Sequence, residues 1–120
     1  MPTLKLTGTA GLVSGSAFSL PQGGEAVLGR SRRCGVSLAG IGRGPEARSA
    51  SPAGRAFRSV SREHATIRFK GASELEIVDR SRHGTFVDGD RIDTVILTDL
   101  ATRPHTLRLG TAETFRLEVV

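Results

Sequence analysis

The hydrophobic residues of this chain recur with a period of two almost throughout, and that pattern confines it to a fold built from strands. TLKLT (3–7), AFSLP (17–21), EAVLG (25–29), GVSL (35–38) and HATIRF (64–69) all alternate in this way. So do ELEIVD (74–79), GTFV (84–87), TVILT (94–98), HTLRL (105–109) and ETFRLEV (113–119). Turn-forming clusters separate them, among them PQGG, KGAS, VDGD and LGTA. Asp88-Gly89, set between the apolar stubs of FVDGDRI, predicts a two-residue hairpin. No window carries the 3.6-residue period of an amphipathic helix. Many short strands with regular turns predict an all-β fold, an antiparallel sandwich or barrel.

One segment breaks the rhythm. Residues 39–59, AGIGRGPEARSASPAGRAFRS, offer few apolar anchors beyond Ile41 and Phe57. Loops longer than about 12–15 residues are uncommon inside compact domains and are usually functional or disordered. The segment is therefore expected to be a disordered basic insertion in a single domain spanning residues 1–120. The chain has five Phe and neither Trp nor Tyr, so Val, Ile, Leu and Ala must fill the core. No apolar run reaches the roughly 18 residues of a membrane span. The opening MPTLKLTGTAGLV lacks the charged and long apolar regions of a secretory leader. A lone cysteine, Cys34, excludes an internal disulfide and fits a reducing compartment, so a cytoplasmic location is expected.

The net charge of +5 is unevenly placed. Residues 1–29 carry Lys5 against Glu25, and residues 63–120 carry eight cations against ten acids. Residues 30–62 hold eight arginines against Glu46 alone, a local charge of +7. An excess confined to one window points toward an anionic partner. The high pI by itself says little, because Arg outnumbers Lys fifteen to two and that bias raises the pI everywhere.

Three kinds of chemistry compete for the polar residues. Ser61, His64 and Asp79 supply the types of a nucleophilic triad, but Ser61 and His64 would share one turn and no G-x-S-x-G elbow is present. His64, His83, His105 and Cys34 could ligate a metal, yet none shows the close spacing of zinc ligands. No G-x-x-x-x-G-K-[ST] run exists for a nucleotide phosphate. Arginines at strand ends do better: Arg30 follows Gly29, Arg62 follows Ser61, and Arg82 lies in the turn SRHG. In a sandwich such loops can converge at one end, where arginines, a serine hydroxyl and turn amides make a phosphate cradle.

In order along the chain, LGRSRRCGVSL (28–38), VSREHATI (60–67), IVDRSRHGTFVDGDRI (77–92) and LRLGTAETFRLEV (107–119) resemble the forkhead-associated (FHA) domain family. The resemblance implies a β-sandwich of about eleven strands whose loops at one end bind phosphothreonine peptides, with no catalytic activity of its own. No cofactor or metal is expected. It implies that Arg30 is the main phosphate ligand, that the Ser61 hydroxyl shares the phosphate, and that Arg62 adds a further contact. Gly29, His64, Gly84 and Thr85 would support the loops, His64 by packing. Two positions depart from the family pattern. His83 stands where an asparagine usually grips the ligand backbone, and Arg82 replaces a small Ser or Thr. Both are assigned to the peptide-binding surface.

The sequence is thus expected to encode a phosphopeptide-binding module. It would recognise phosphothreonine, with phosphoserine as a second candidate, on the substrates of Ser/Thr kinases. One alternative is an FHA-like scaffold that binds a protein partner without phosphate. A basic nucleic-acid-binding domain ranks behind it, since no Tyr or Trp is available for stacking and no recognition helix is predicted.

Overall fold

Alternate leucines decide the first strand. In β1 (Thr3–Ala10), Leu4 and Leu6 are fully buried while Thr3, Lys5 and Thr7 keep partial exposure. The same logic repeats through the computed structural model, which describes residues 2–120. After β1 come β2 (Ala17–Pro21), β3 (Gly24–Gly29), β4 (Val36–Ser37) and three short helices, α1 (Ala39–Gly42), α2 (Pro45–Arg48) and α3 (Pro52–Arg58). Then follow β5 (Ala65–Gly71), β6 (Glu74–Asp79), β7 (Thr85–Val87), β8 (Asp90–Ile92), β9 (Thr94–Leu97), β10 (His105–Leu109) and β11 (Glu113–Val119).

Two sheets form, one of six strands in the order β2-β1-β11-β10-β7-β8 and one of five in the order β4-β3-β5-β6-β9. Leu28, Ile67, Phe69, Leu75 and Ile77 from the second sheet share one buried cluster with Leu4, Leu6, Leu107, Leu109, Phe115 and Leu117 from the first. This is the expected all-β sandwich. The pairing is antiparallel except between β3 and β4, which run parallel through Leu28↔Val36 and Gly29↔Ser37. The expected hairpin closes at Val87↔Asp90, with Asp88 and Gly89 both at positive φ (51° and 89°), the twist that a two-residue hairpin turn needs.

The segment 39–59 is not disordered. It forms α1, α2 and α3, and it is anchored by Phe57 at 2% exposure and Ala47 at 3%, both part of the main hydrophobic cluster, with Ile41 packed against it. Polar groups complete the tie. The Ser51 hydroxyl accepts from Gly54 N at 3.1 Å to cap α3, Pro52 occupies the first turn, and Arg58 Nη1 donates to Ala47 O and Ser49 O, both at 2.8 Å. Few apolar residues suffice because each helix spans only one or two turns and leans on the sandwich. Replacing residues 42–56 by a Gly-Ser linker should therefore cost about 2 kcal/mol, the worth of uncovering one large apolar side chain. Thermal unfolding would register this, and an unchanged melting temperature would mean that Phe57 needs no cover from the helices.

His105, a candidate metal ligand by type, is instead clamped between two carboxylates. Its Nδ1 lies 2.5 Å from Asp88 Oδ2 and its Nε2 lies 2.6 Å from Asp99 Oδ1. Burial alone would depress its pKa, but hydrogen bonds and charge from Asp88 and Asp99 outweigh it and raise the value. Both ring nitrogens are thus committed to holding the β7–β8 turn and the β9–β10 loop together.

Candidate functional site

The site begins where β3 runs out. Beyond the last β3–β5 pair, the two chains stay zipped by backbone bonds. His64 N donates to Leu28 O at 2.7 Å, Arg30 N to Ser61 O at 3.2 Å, and Ser31 N to Arg62 O at 3.1 Å. This approach is so close that a Cβ on Gly29 would sit 2.1 Å from Arg62 O. Glycine at position 29 is what allows Arg30 and the Ser61-Arg62 pair to stand side by side.

Arg30 is half-buried, and its Nε donates to Val60 O, which fixes the guanidinium plane. Its Nη groups have no hydrogen-bond partner among the described residues. Burial first, then the charges of Arg62 and Arg58, lower its pKa. The guanidinium therefore sits in a locally positive field that an anion would relieve.

Ser61 joins two loops. Its hydroxyl accepts from Arg82 N at 3.1 Å, which leaves the hydroxyl proton to donate outward. Its own N–H donates to His64 Nδ1 at 2.9 Å. His64 is fully buried, and its Nε2 faces Gly84 O at 2.8 Å. The ring therefore accepts at Nδ1 and donates at Nε2, the neutral form, and burial pushes its pKa down despite the Gly84 carbonyl. No nitrogen is left to take a proton from the Ser61 hydroxyl.

Asp79 is spoken for as well. Its Oδ1 accepts from Ser81 N at 3.0 Å, Ser81 Oγ at 2.6 Å and Thr85 Oγ1 at 2.7 Å. Burial alone would raise its pKa; the bonds from Ser81 and Thr85 outweigh this and lower it. Ser61, His64 and Asp79 lie near one another but are wired as a brace between the ends of both sheets, not as a proton relay. Cys34 donates its thiol to Arg62 O at 3.1 Å and so supports the same loop.

Gly84 and Thr85 complete the brace. Gly84 has φ +103°, and its carbonyl also accepts from Gly110 N at 3.0 Å. Thr85 is fully buried. Arg82 and His83 are exposed at the tip of the same turn.

Two concavities open at this end. The larger, of about 1030 Å³, is lined by Arg30, Ser31 and Arg62 on one side and by the helices on the other. The smaller, of about 460 Å³, lies between α3, Ser59, Thr111 and His83. Of the residues singled out from the sequence, Arg30 and Arg62 line the larger groove. Ser61 stands beside them through the Arg30 N–Ser61 O bond without lining it, Arg82 is held to the Ser61 hydroxyl through its backbone N–H, and His83 lies in the smaller hollow. Arg58 borders both hollows. It was not singled out from the sequence, because no helix was expected there to carry it; the density of arginines between residues 30 and 62 was the only signal.

Against known proteins, the family profile described as "FHA domain" matches residues 26–102. No curated protein matches the chain. Among solved structures, the FHA domain of the CT664 protein from Chlamydia trachomatis superposes with a TM-score of 0.68 at 24% identity, over 97% of this chain and 96% of that one. An Arabidopsis thaliana FHA domain gives a TM-score of 0.72 at 20% identity, over 100% of this chain and 87% of that one. Mycobacterium tuberculosis EmbR, solved in complex with a low-affinity phosphopeptide, gives 0.64 at 24% identity, over 97% of this chain and 24% of that one.

Proposed function

Since the chain belongs to the FHA domain family, whose members are protein-interaction modules, we propose that it is a phosphopeptide-binding module that recognises phosphothreonine on partner proteins. The observation that carries this reading is that Arg30 and Arg62 line one groove with Ser61 beside them, bonded to Arg30 through its backbone, and that the Arg30 Nη groups and the Ser61 hydroxyl proton are left to donate. A phosphate carries about −1.5 to −2 charges at neutral pH and accepts several bonds at once. Arg30 would fork onto two of its oxygens, Ser61 would donate to a third, and Arg62 would add charge from the exposed side. Arg82, whose backbone N–H donates to the Ser61 hydroxyl, is a further exposed basic group beside it. The partner is a Ser/Thr kinase substrate, met in the cytoplasm. The complex of EmbR with a phosphopeptide supports a phosphorylated ligand for a domain of this shape.

His83 bears on selectivity. It stands at the position where the family pattern has an asparagine and lines the hollow beside α3, not the Arg30–Arg62 groove. A neutral imidazole offers one donor and one acceptor. That placement favours a looser hold on the ligand backbone, and with it tolerance of phosphoserine. An oriented phosphopeptide library with phosphoserine and unphosphorylated controls tests the reading. His83→Asn is expected to raise the preference for phosphothreonine over phosphoserine. Wild-type indifference to phosphorylation, unrepaired by the asparagine, would instead favour a scaffold that binds its partner without phosphate.

A further inference from the structure

The three helices add a second wall of arginines. Arg43, Arg48 and Arg58 face Arg30, Arg32, Arg33 and Arg62 across the 1030 Å³ groove, while Ala39, Ala47 and Phe57 supply its apolar lining. Among the described residues one acid, Glu63, borders it, and that carboxylate lies 3.8 Å from Arg80 Nη2. Among the described residues no groove arginine is paired with a carboxylate; the ion pairs use Arg68, Lys70, Arg80, Arg103, His105 and Arg116. Seven guanidinium groups around one hollow repel one another unless an anion enters. One phosphate at Arg30, Ser61 and Arg62 neutralises at most two of those charges. Arg58 is partly engaged by the carbonyls of Ala47 and Ser49, which holds it in place. Arg43 and Arg48 are exposed and have no side-chain partner among the described residues.

We propose that this groove binds a second anionic group on the same peptide, with Arg43 and Arg48 as its ligands, so that the preferred substrate is doubly phosphorylated or carries acidic side chains close to the phosphothreonine. The inference rests on the phosphopeptide reading above. A space of about 1030 Å³ is roughly 10 Å across, which an extended chain covers in about three residues. The second anion should therefore lie about two to four residues from the first. The apolar lining suits the backbone and a small side chain between the two.

The test is a titration of the whole chain with four probes at one salt concentration. These are a singly phosphorylated threonine peptide, the same peptide with a second phosphothreonine two to four residues away on either side, its counterpart with Asp or Glu there, and a single-stranded oligonucleotide. The second phosphate is expected to tighten binding about ten-fold, with acidic residues giving less, and raised salt should shrink the gain. Arg43→Ser combined with Arg48→Ser should bring the ratio of the two affinities close to one. Both residues are exposed, so folding should survive, and thermal unfolding checks it. A single phosphate that binds with no gain from the second would overturn this inference alone. A gain that survives the double substitution would overturn the assignment of Arg43 and Arg48. No binding of any phosphopeptide would overturn the phosphopeptide reading too, and preference for the oligonucleotide over all peptides would overturn the choice of ligand.

Discussion

Arg30→Ala is expected to weaken phosphopeptide binding by at least about ten-fold while the sandwich stays folded. The side chain is held by Val60 O through Nε, so its remaining donors are aimed before any ligand arrives. Each charge-assisted hydrogen bond is worth about 1.5–3 kcal/mol, and a fork supplies two. The fold should lose far less, because the guanidinium is half-exposed and only one carbonyl loses a partner. Arg30→Lys separates charge from geometry. A lysine keeps the positive charge but not the planar fork, so its affinity should fall between wild type and alanine. If lysine matches the wild type, the fork contributes nothing and a bare charge suffices.

His64→Ala should damage both stability and binding. It removes the acceptor for Ser61 N and one of the two donors to Gly84 O, and it leaves a hole in a fully buried place. An unsatisfied buried group costs about 1–3 kcal/mol and the cavity adds to it, so a total of about 2–4 kcal/mol is expected. That corresponds to a fall in melting temperature on the order of 10 °C. Binding should weaken as well, because Ser61 and the 80–84 turn would lose the residue that fixes their distance.

The pH profile distinguishes this role from simple packing. His64 has a folded-state pKa below its ordinary value of about 6.5, so below that pH the unfolded chain binds the extra proton. Its contribution is present above about 6.5 and is lost as pH falls toward the folded-state value. His105 works in the opposite sense, since its folded-state pKa is raised: its contribution is full below about 6.5 and is lost as pH rises through the folded-state value. The wild type should thus lose stability on acidification from about pH 6.5, and the His64 variant should be flatter over that range. An equal slope in both proteins would show that the imidazole is not buried in its neutral form.

The strands were readable because each one buries alternate residues on a single face, as Leu4 and Leu6 do in β1 and Ile67 and Phe69 in β5. The short helices were not. α1 and α2 span four residues each, too few for a helical period to register, and both contain or adjoin glycine. α3 did carry a signal, Ser51-Pro52 followed by Phe57, but it is only seven residues long and lies in a run of Gly, Ala and Arg that reads as loop. Among the proposed site residues, the proximity of Arg30, Ser61 and Arg62 was legible because all three flank strands whose ends must meet. The direction of His83 could not, since it is set by the turn at Gly84 and by where α3 lies. Arg43, Arg48 and Arg58 were visible as charge but not as a wall of the groove, which exists only once the helices fold back.

On the proposed reading, this face binds a phosphate through Arg30, Ser61 and Arg62. Calorimetric titration of the wild-type chain with one phosphothreonine peptide and its unphosphorylated twin tests it most directly, with Arg30→Ala measured in parallel. Binding of the phosphorylated peptide alone, lost in Arg30→Ala, is the predicted result; equal affinity for the two peptides, or equal affinity of the two proteins, would contradict it.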